Sequence, residues 1–157
     1  MMVIEEMSTK DCREIVMRVS LGRLGCSYNG QPYVLPLYFV YENNNLYGYT
    51  TEGQKTAWMR ANPKVCVEID EITNRFQWTS VVLCGRYREL PDLPPYAEEY
   101  KRARKLLTTV SQWWEIPHAS RAVRSKDELI LRYFRIEIET VTGRRATTRD
   151  GNPVPAG

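Results

Sequence analysis

One stretch, residues 46–70, constrains the fold more than any other part of the sequence, LYGYTTEGQKTAWMRANPKVCVEID. Residues 46–50 are mostly aromatic or β-branched, which is typical of a strand. A polar turn and a short helix follow, and we expect the helix to end at Asn62, because a residue before proline is pushed out of helical geometry. Alternation of apolar and polar residues over 65–70 then predicts a second strand with one buried face. The rest of the chain is interpreted around this strand-turn-helix-strand unit.

The turn inside this unit, residues 50–53, has the composition of an anion site. Amides at a helix start have no helical acceptor and carry partial positive charge, which suits a phosphate. Thr50 and Thr51 add hydroxyl donors, and Lys55 follows one turn into the helix. Thr and Gly are also ordinary residues at helix starts, and exposed lysines are common there. Taken alone, the turn favours a simple helix cap over a phosphate site.

Helical periodicity predicts two further helices outside the sheet. Ser8 and Asp11 have the spacing of a capping box, so a helix is expected as the first element of the chain. Its buried face would consist of Cys12, Ile15, Val16 and Val19. The later helix has an apolar stripe that favours core or dimer packing, made of Tyr96, Tyr100, Ala103, Leu107, Val110 and Trp114. Its basic residues are interpreted as a solvated face, with nucleic-acid contact as the minor alternative: Lys101, Arg102, Arg104 and Lys105.

Between the first helix and the central unit, the sequence predicts a β-hairpin. Asn29-Gly30 is a tight-turn signal that joins a strand at 23–28 to a return strand at 31–41. Pro32 and Pro36 each lack an amide donor, so the return strand must be bulged or lie at a sheet edge. Such a strand is also a place where a ligand can approach the backbone.

The remaining strands complete a small sheet. After a loop at 71–75, residues 76–90 predict a long strand with a bend or bulge at Gly85. The last strand is expected at 128–141, and the polar segment 142–157 is expected to be a flexible tail. We count six strands, mostly antiparallel because their connections are short, and a sheet of this size removes its edges by closing into a barrel. Residues 1–141 are therefore predicted to form one domain.

Composition narrows the functional classes. At 157 residues, 43% hydrophobic and 26% charged, the chain has the balance of a soluble globular protein. Without a membrane-length apolar run or a secretory signal pattern, we expect a cytoplasmic protein. The net charge of +3 is too small to make nucleic acid the expected partner. The cysteines are interpreted as buried thiols without a zinc site: Cys12, Cys26, Cys66 and Cys84. The single histidine, His118, has no catalytic motif around it and receives no role.

Three segments taken in order, GRLGCSYNGQPYVLPLYFVY, LYGYTTEGQKTAWMRANPKVCVEID and WTSVVLCGRYREL, carry a family resemblance. Together they resemble the FMN-binding split-barrel family related to pyridoxamine 5'-phosphate oxidase, and within it the branch that includes the nitroimidazole-resistance proteins. The resemblance covers about residues 8–140. It implies a mainly β fold, a six-stranded antiparallel split β-barrel with flanking helices.

The resemblance also implies a site. The FMN phosphate would be held by Thr50, Thr51 and Lys55, with Tyr49 beside them. The isoalloxazine ring would lie along the return strand, against Val34, Pro36, Leu37 and Tyr38. A later strand would approach the same ring through Trp78, Ser80 and Val81. Proteins of this kind are usually homodimers with the flavin at the subunit interface, and they act on a small-molecule substrate or electron donor.

These implications favour an FMN-dependent oxidoreductase in which the protein positions the flavin, without a nameable catalytic residue. Two departures limit the analogy. The Arg- and His-containing segment that grips substrate in true pyridoxamine 5'-phosphate oxidases is missing, and Tyr49 stands where many nitroimidazole-resistance relatives have histidine. The alternatives are a non-enzymatic flavin carrier or sensor, a deazaflavin- or haem-binding split barrel in which His118 could be the ligand, and a nucleic-acid-binding barrel.

Overall fold

The computed structural model describes residues 1–110 and 130–149, which form eight strands and three helices. In chain order these are β1 (Met2–Glu6), α1 (Thr9–Arg18), β2 (Leu21–Tyr28), β3 (Gln31–Tyr38), β4 (Val40–Glu42), β5 (Asn45–Thr51), α2 (Gln54–Ala61), β6 (Lys64–Asn74), β7 (Gln77–Glu89), α3 (Ala97–Leu107) and β8 (Leu131–Thr148). None of these helices has the length and apolar character needed to cross a membrane.

All strand pairs are antiparallel, in the order β3-β2-β6-β7-β8-β5-β4, with β1 on the remaining edge of β8. The predicted class, a mainly β antiparallel split barrel, is confirmed. The path is open, because β3 and β4 are its two ends, so the expectation that the sheet removes its edges by closing into a barrel is wrong. The described residues contain eight strands rather than the six we predicted. One addition is β1, and the other arises because the predicted return strand is interrupted at Phe39 into β3 and β4.

The sheet has a core on each of two faces. On the inner face, Phe134 lies edge-on to Phe39 with ring centroids 6.3 Å apart, beneath the buried sides of α1 and α2. The second core lies between α3 and strands β5 and β8, where Leu107 packs with Tyr47. The prediction that the α3 stripe packs into a core is therefore confirmed for its described residues.

Features that depend on neighbouring residues, such as helix caps, turns and bulges, were predicted correctly. The Ser8 hydroxyl accepts a hydrogen bond from the Asp11 amide at 3.1 Å, which caps α1. Asn29 and Gly30 have φ angles of 48° and 76°, as a two-residue hairpin turn requires. The ladder between β7 and β8 shifts register beside Gly85, which confirms the bulge.

Strand β3 is an edge strand, as its prolines predicted. Its register with β2 is continuous from Tyr28↔Gln31 to Leu21↔Tyr38, so it is not bulged there. In a two-residue hairpin the pair next to the turn is hydrogen-bonded and the pairs then alternate. Pro32 and Pro36 therefore occupy positions whose amides would point away from β2, where a missing donor costs no ladder hydrogen bond.

The prediction that the first element is a helix and the last is a flexible tail was wrong at both ends of the chain. Strand β1 precedes α1, and β8 continues to Thr148. The two errors have one cause, because β1 pairs with the segment 144–148 that we assigned to the tail. The backbone of this polar segment pairs with β1 on one side and with β7 on the other, and the side chain of Ala146 within it is buried. The domain therefore extends past residue 141.

Three further expectations need correction or lie outside the described residues. Cys66 and Cys84 are exposed, and only Cys12 and Cys26 are buried as predicted. The predicted loop at 71–75 is mostly strand, since β6 runs to Asn74. Trp114, His118 and the predicted start of the last strand at 128 lie outside the described residues.

Candidate functional site

The predicted phosphate turn connects β5 to α2, and Lys55 lies across it. Lys55 Nζ donates to the carbonyl oxygen of Thr51 at 3.2 Å and to its Oγ1 at 3.4 Å. The first helical hydrogen bond runs from the Ala57 amide to the carbonyl of Gly53, so the preceding amides of the first turn have no helical acceptor. Burial lowers the pKa of Lys55. Within the described residues no carboxylate lies within ion-pair distance of Lys55.

Glu52 fixes this turn to the rest of the barrel. Its Oε1 accepts from Arg60 Nη1 at 2.6 Å, and its Oε2 accepts from Arg132 Nε at 2.7 Å. Arg60 also donates to Glu89 at 2.8 Å. Hydrogen bonds from Arg60, followed by those from Arg132, lower the pKa of Glu52 to about 2. The carboxylate next to the turn is thus neutralised by two guanidinium groups and does not oppose an anion there.

Helix α2 carries the turn towards the β2–β3 hairpin. Lys55 interacts electrostatically with Cys26 on β2, and Trp58 lies 6.1 Å from Tyr28 and 6.3 Å from Tyr33, measured between ring centroids. On the opposite face of the hairpin, Val34 lines an open groove of about 320 Å³. The described geometry therefore brings the turn and the β3 edge to the same end of the molecule.

The predicted residues of β7 lie elsewhere. Trp78 and Ser80 line a pocket of about 500 Å³ beside the end of β1 and the second half of β8. Arg144, from the segment predicted to be a tail, lines the same pocket. Its guanidinium is 3.8 Å from the Glu6 carboxylate, a long contact between two exposed side chains.

Four predicted site residues have buried side chains. Leu37 and Val81 belong to the inner core and Thr50 is also buried, so any contact they make with a ligand would come from the backbone. Tyr49 packs in the second core, where it stacks on Tyr133 with centroids 5.1 Å apart. Strand alternation places the Tyr49 ring on the face opposite the side chain of Thr50.

The two groups of exposed predicted residues are separated across the outer face of the sheet, the face opposite the inner core. Pro36 is opposite Arg23 on β2, Arg23 is opposite Glu68 on β6, and Glu68 is opposite Val82 on β7. Three steps between neighbouring strands span about 14 Å along the sheet. Within one chain, the strands β2 and β6 therefore lie between the predicted residues of β3 and those of β7.

Between these groups lies a charged cluster that sequence analysis missed. Arg23 Nη1 is 3.0 Å from Asp70 Oδ2, and Glu68 lies beside them. Burial, followed by a hydrogen bond with Asp70 and the negative charge of Asp70, raises the pKa of Glu68 to about 7, and Arg23 opposes this rise. The alternation within β6 placed Glu68 and Asp70 on one face, but the pairing with Arg23 spans 47 residues and no local signal marks it.

Comparison with known proteins agrees with this architecture. A family model described as pyridoxamine 5'-phosphate oxidase matches residues 8–145. An uncharacterised protein of Rhizobium meliloti (strain 1021) is 36% identical over 148 residues, covering 92% of this chain and 97% of that protein. The crystal structure of an FAD-binding protein from Mesorhizobium loti is 38% identical and has a TM-score of 0.77, covering 94% of this chain and 100% of that one.

A more distant structure shares the fold. A candidate 5-nitroimidazole antibiotic resistance protein from Bacteroides thetaiotaomicron has a TM-score of 0.65 at 19% identity, covering 94% of this chain and 93% of its own. At that identity the likeness concerns architecture only. The family match extends over the hairpin, the strand-turn-helix unit and most of β8. The chain belongs to the pyridoxamine 5'-phosphate oxidase family of split-barrel proteins.

Proposed function

We propose that this protein binds FMN and uses it as an oxidoreductase acting on a small molecule. The observation that carries the proposal is the half-buried Lys55, positioned over the β5–α2 turn by Thr51 and not ion-paired with any carboxylate in the described residues. A phosphate dianion suits a cation held beside hydroxyl and amide donors. The relative from Mesorhizobium loti is described as FAD-binding, which supports a flavin, and the single compact turn favours one phosphate group.

The residues of this chain would bind and orient the cofactor. Lys55, Thr51 and the first amides of α2 would hold the phosphate, and the outer edge of β3 would offer backbone groups to the ring. Glu52 would keep the turn in place through Arg60. A bound flavin supplies the capacity to accept and pass electrons, so the protein itself needs to provide position and a site shielded from water.

We further propose that the functional unit is a homodimer with each flavin held by both subunits. The separation of about 14 Å between β3 and β7 supports this arrangement. One ring could touch Val34 and Pro36 of one subunit together with Trp78 and Ser80 of the other. The outer face also exposes apolar side chains on both of these strands, because Val34 on β3 is 66% exposed and Val82 on β7 is 38% exposed.

Absorption spectroscopy tests the cofactor. Purified protein is mixed with FMN, FAD or a deazaflavin and passed through a gel-filtration column, and we expect FMN to remain bound at about one per chain. A colourless product with FMN would refute the cofactor assignment. Anaerobic reduction of the bound flavin by NADH or NADPH then tests turnover, and a flavin that no donor reduces would support a carrier instead.

Subunit complementation tests the composite site. Lys55→Met and Trp78→Ala are expected to abolish flavin retention separately, since each removes one subunit's share of the site. After the two variants are unfolded and refolded together, random pairing should give one intact site in each mixed dimer, which is about a quarter of all sites. No recovery of bound FMN in a mixture that does form mixed dimers would contradict a site shared between subunits.

A further inference from the structure

The charged cluster on the outer face has an unusual balance. Arg23 supplies one positive charge, while Asp70 and Glu68 supply two carboxyl groups. Arg23 forms its ion pair with Asp70 at 3.0 Å. The Oε1 atom of Glu68 is buried and has no hydrogen-bond partner among the described residues. With Glu68 ionised the cluster has a net charge of −1, and one of its carboxylate oxygens is unsolvated.

Among the described residues, none directly beside Glu68 is a second cation, and the outward cations of these strands, Lys64 on β6 and Arg86 on β7, lie two outward positions away. On β7 it is opposite Val82, and the next outward residues of that strand are Ser80 and Cys84. Cys66 lies beside it on β6, and although this residue is exposed, partial desolvation of its thiol and the neighbouring Cys84 raise its pKa, which keeps the thiol neutral near pH 7. On β2 the facing residue is Arg23, whose guanidinium is already engaged by Asp70. Within the described residues of a single chain, a proton is therefore the remaining means of neutralising Glu68.

We propose that Glu68 is a proton-binding site at the subunit interface, so that two copies of this chain associate more tightly when its carboxyl group is protonated. The proposal rests on the homodimer proposed above, and it adds a control of that assembly. The Glu68 carboxyl lies in the row of paired residues that runs from Pro36 on β3 to Val82 on β7. The proposed shared flavin site would cover this row.

The direction of the effect follows from desolvation. Covering the outer face removes water from Glu68 and makes its ionised form less favourable, so association raises its pKa above the value of about 7 in the single chain. A group whose pKa is higher in the dimer stabilises the dimer at low pH. That stabilisation is lost as the pH rises above 7. The carboxyl group is then deprotonated in the monomer, so formation of the dimer requires it to take up a proton.

Sedimentation equilibrium measures the effect. Dissociation constants of the FMN-free protein are determined at pH 6, 7 and 8, at constant ionic strength and with a reducing agent that keeps the thiols free. Uptake of one proton per dimer makes the constant rise tenfold per pH unit, so we expect a rise of at least about tenfold from pH 7 to 8. Glu68→Gln keeps the shape of the side chain without its titration, and its constant should change by less than about twofold.

The control is Glu98→Gln on α3, an exposed carboxyl on the other side of the sheet, which should keep the wild-type pH dependence. A wild-type dimer with a constant independent of pH would overturn this inference and leave the homodimer intact. A monomer at every pH would overturn both. Persistence of the pH dependence in Glu68→Gln would assign it to another group and refute the role of Glu68. If that variant does not fold, carbon NMR titration of Glu68 in the wild type decides, and a midpoint at or below 4.5 would refute the proposal.

Discussion

Replacing Lys55 by Met separates the phosphate assignment from every other part of the proposed site. The Met side chain keeps most of the apolar stem of lysine and removes only the charged donor. We expect FMN affinity to fall while the affinity for riboflavin, which has no phosphate, stays within about twofold. The comparison between the two ligands isolates the contact between the cation and the phosphate.

The magnitude follows from the position of Nζ in the structure. A hydrogen bond to a charged group contributes about 1.5–3 kcal/mol, which corresponds to about 10- to 150-fold in affinity. Lys55 is already fixed by two contacts to Thr51, so little side-chain entropy is lost when a ligand binds. Partial burial also weakens screening by solvent. Both effects favour the upper part of the range.

Flavin fluorescence titration measures both ligands under the same conditions. The matched control is Lys101→Met, which removes an exposed lysine of α3 that forms an ion pair with Glu98 at 3.4 Å, and it should leave both affinities unchanged. Equal losses for FMN and riboflavin would show that Lys55 supports the fold or the ring instead of the phosphate. Unchanged FMN affinity in Lys55→Met would remove the phosphate assignment altogether.

Three stability predictions follow from the same geometry, each measured by urea unfolding. Gly85→Ala should cost about 3 kcal/mol or more, because a Cβ there would overlap a carbonyl oxygen of β8, whereas Gly53→Ala meets no atom within 4 Å and should change stability by less than about 0.5 kcal/mol. Phe134→Ala should cost about 3–5 kcal/mol, since its ring is fully buried, and a smaller loss would mean that the core collapses around the gap. The contact with Arg60 lowers the pKa of Glu52, so the stability that this ion pair adds is fully present above pH about 4.5 and is lost as the pH falls towards 2. The free energy of unfolding of Glu52→Gln should therefore fall less between pH 4.5 and 3 than that of the wild type, and an equal fall would contradict this assignment.

The parts of the fold that the sequence predicted are those set by neighbouring residues. The Asn29-Gly30 turn and the end of α2 at Asn62 each depend on chemistry within a few residues. The pairing of β1 with residues 144–148 joins segments that are far apart in the sequence, and residues 144–148 are polar enough to resemble a tail. Residues 144–148 are a strand because neighbouring strands pair with them, and the local sequence does not indicate which strands will be neighbours.

The candidate site divides in the same way. The turn with Thr51 and Lys55 was predicted from adjacent residues, and the structure adds the contact between them. Cys66 was misplaced because its apolar character was weighted above its position in the alternation, which puts it on the face opposite Val65. The Arg23–Asp70 pair depends on how β2 and β6 align, which is a property of the assembled sheet.

The prolines of β3 connect this sheet to its proposed ligand. An exposed strand edge normally invites another strand, because its outward amides and carbonyls form a continuous ladder template. In β3, every second outward position lacks an amide, since Pro32 and Pro36 alternate with Val34 and Tyr38. A second strand would lose half of its donors along this edge, whereas a compact planar ligand needs only one or two hydrogen bonds. The edge that the prolines protect from strand addition is therefore suited to the rim of the proposed flavin ring.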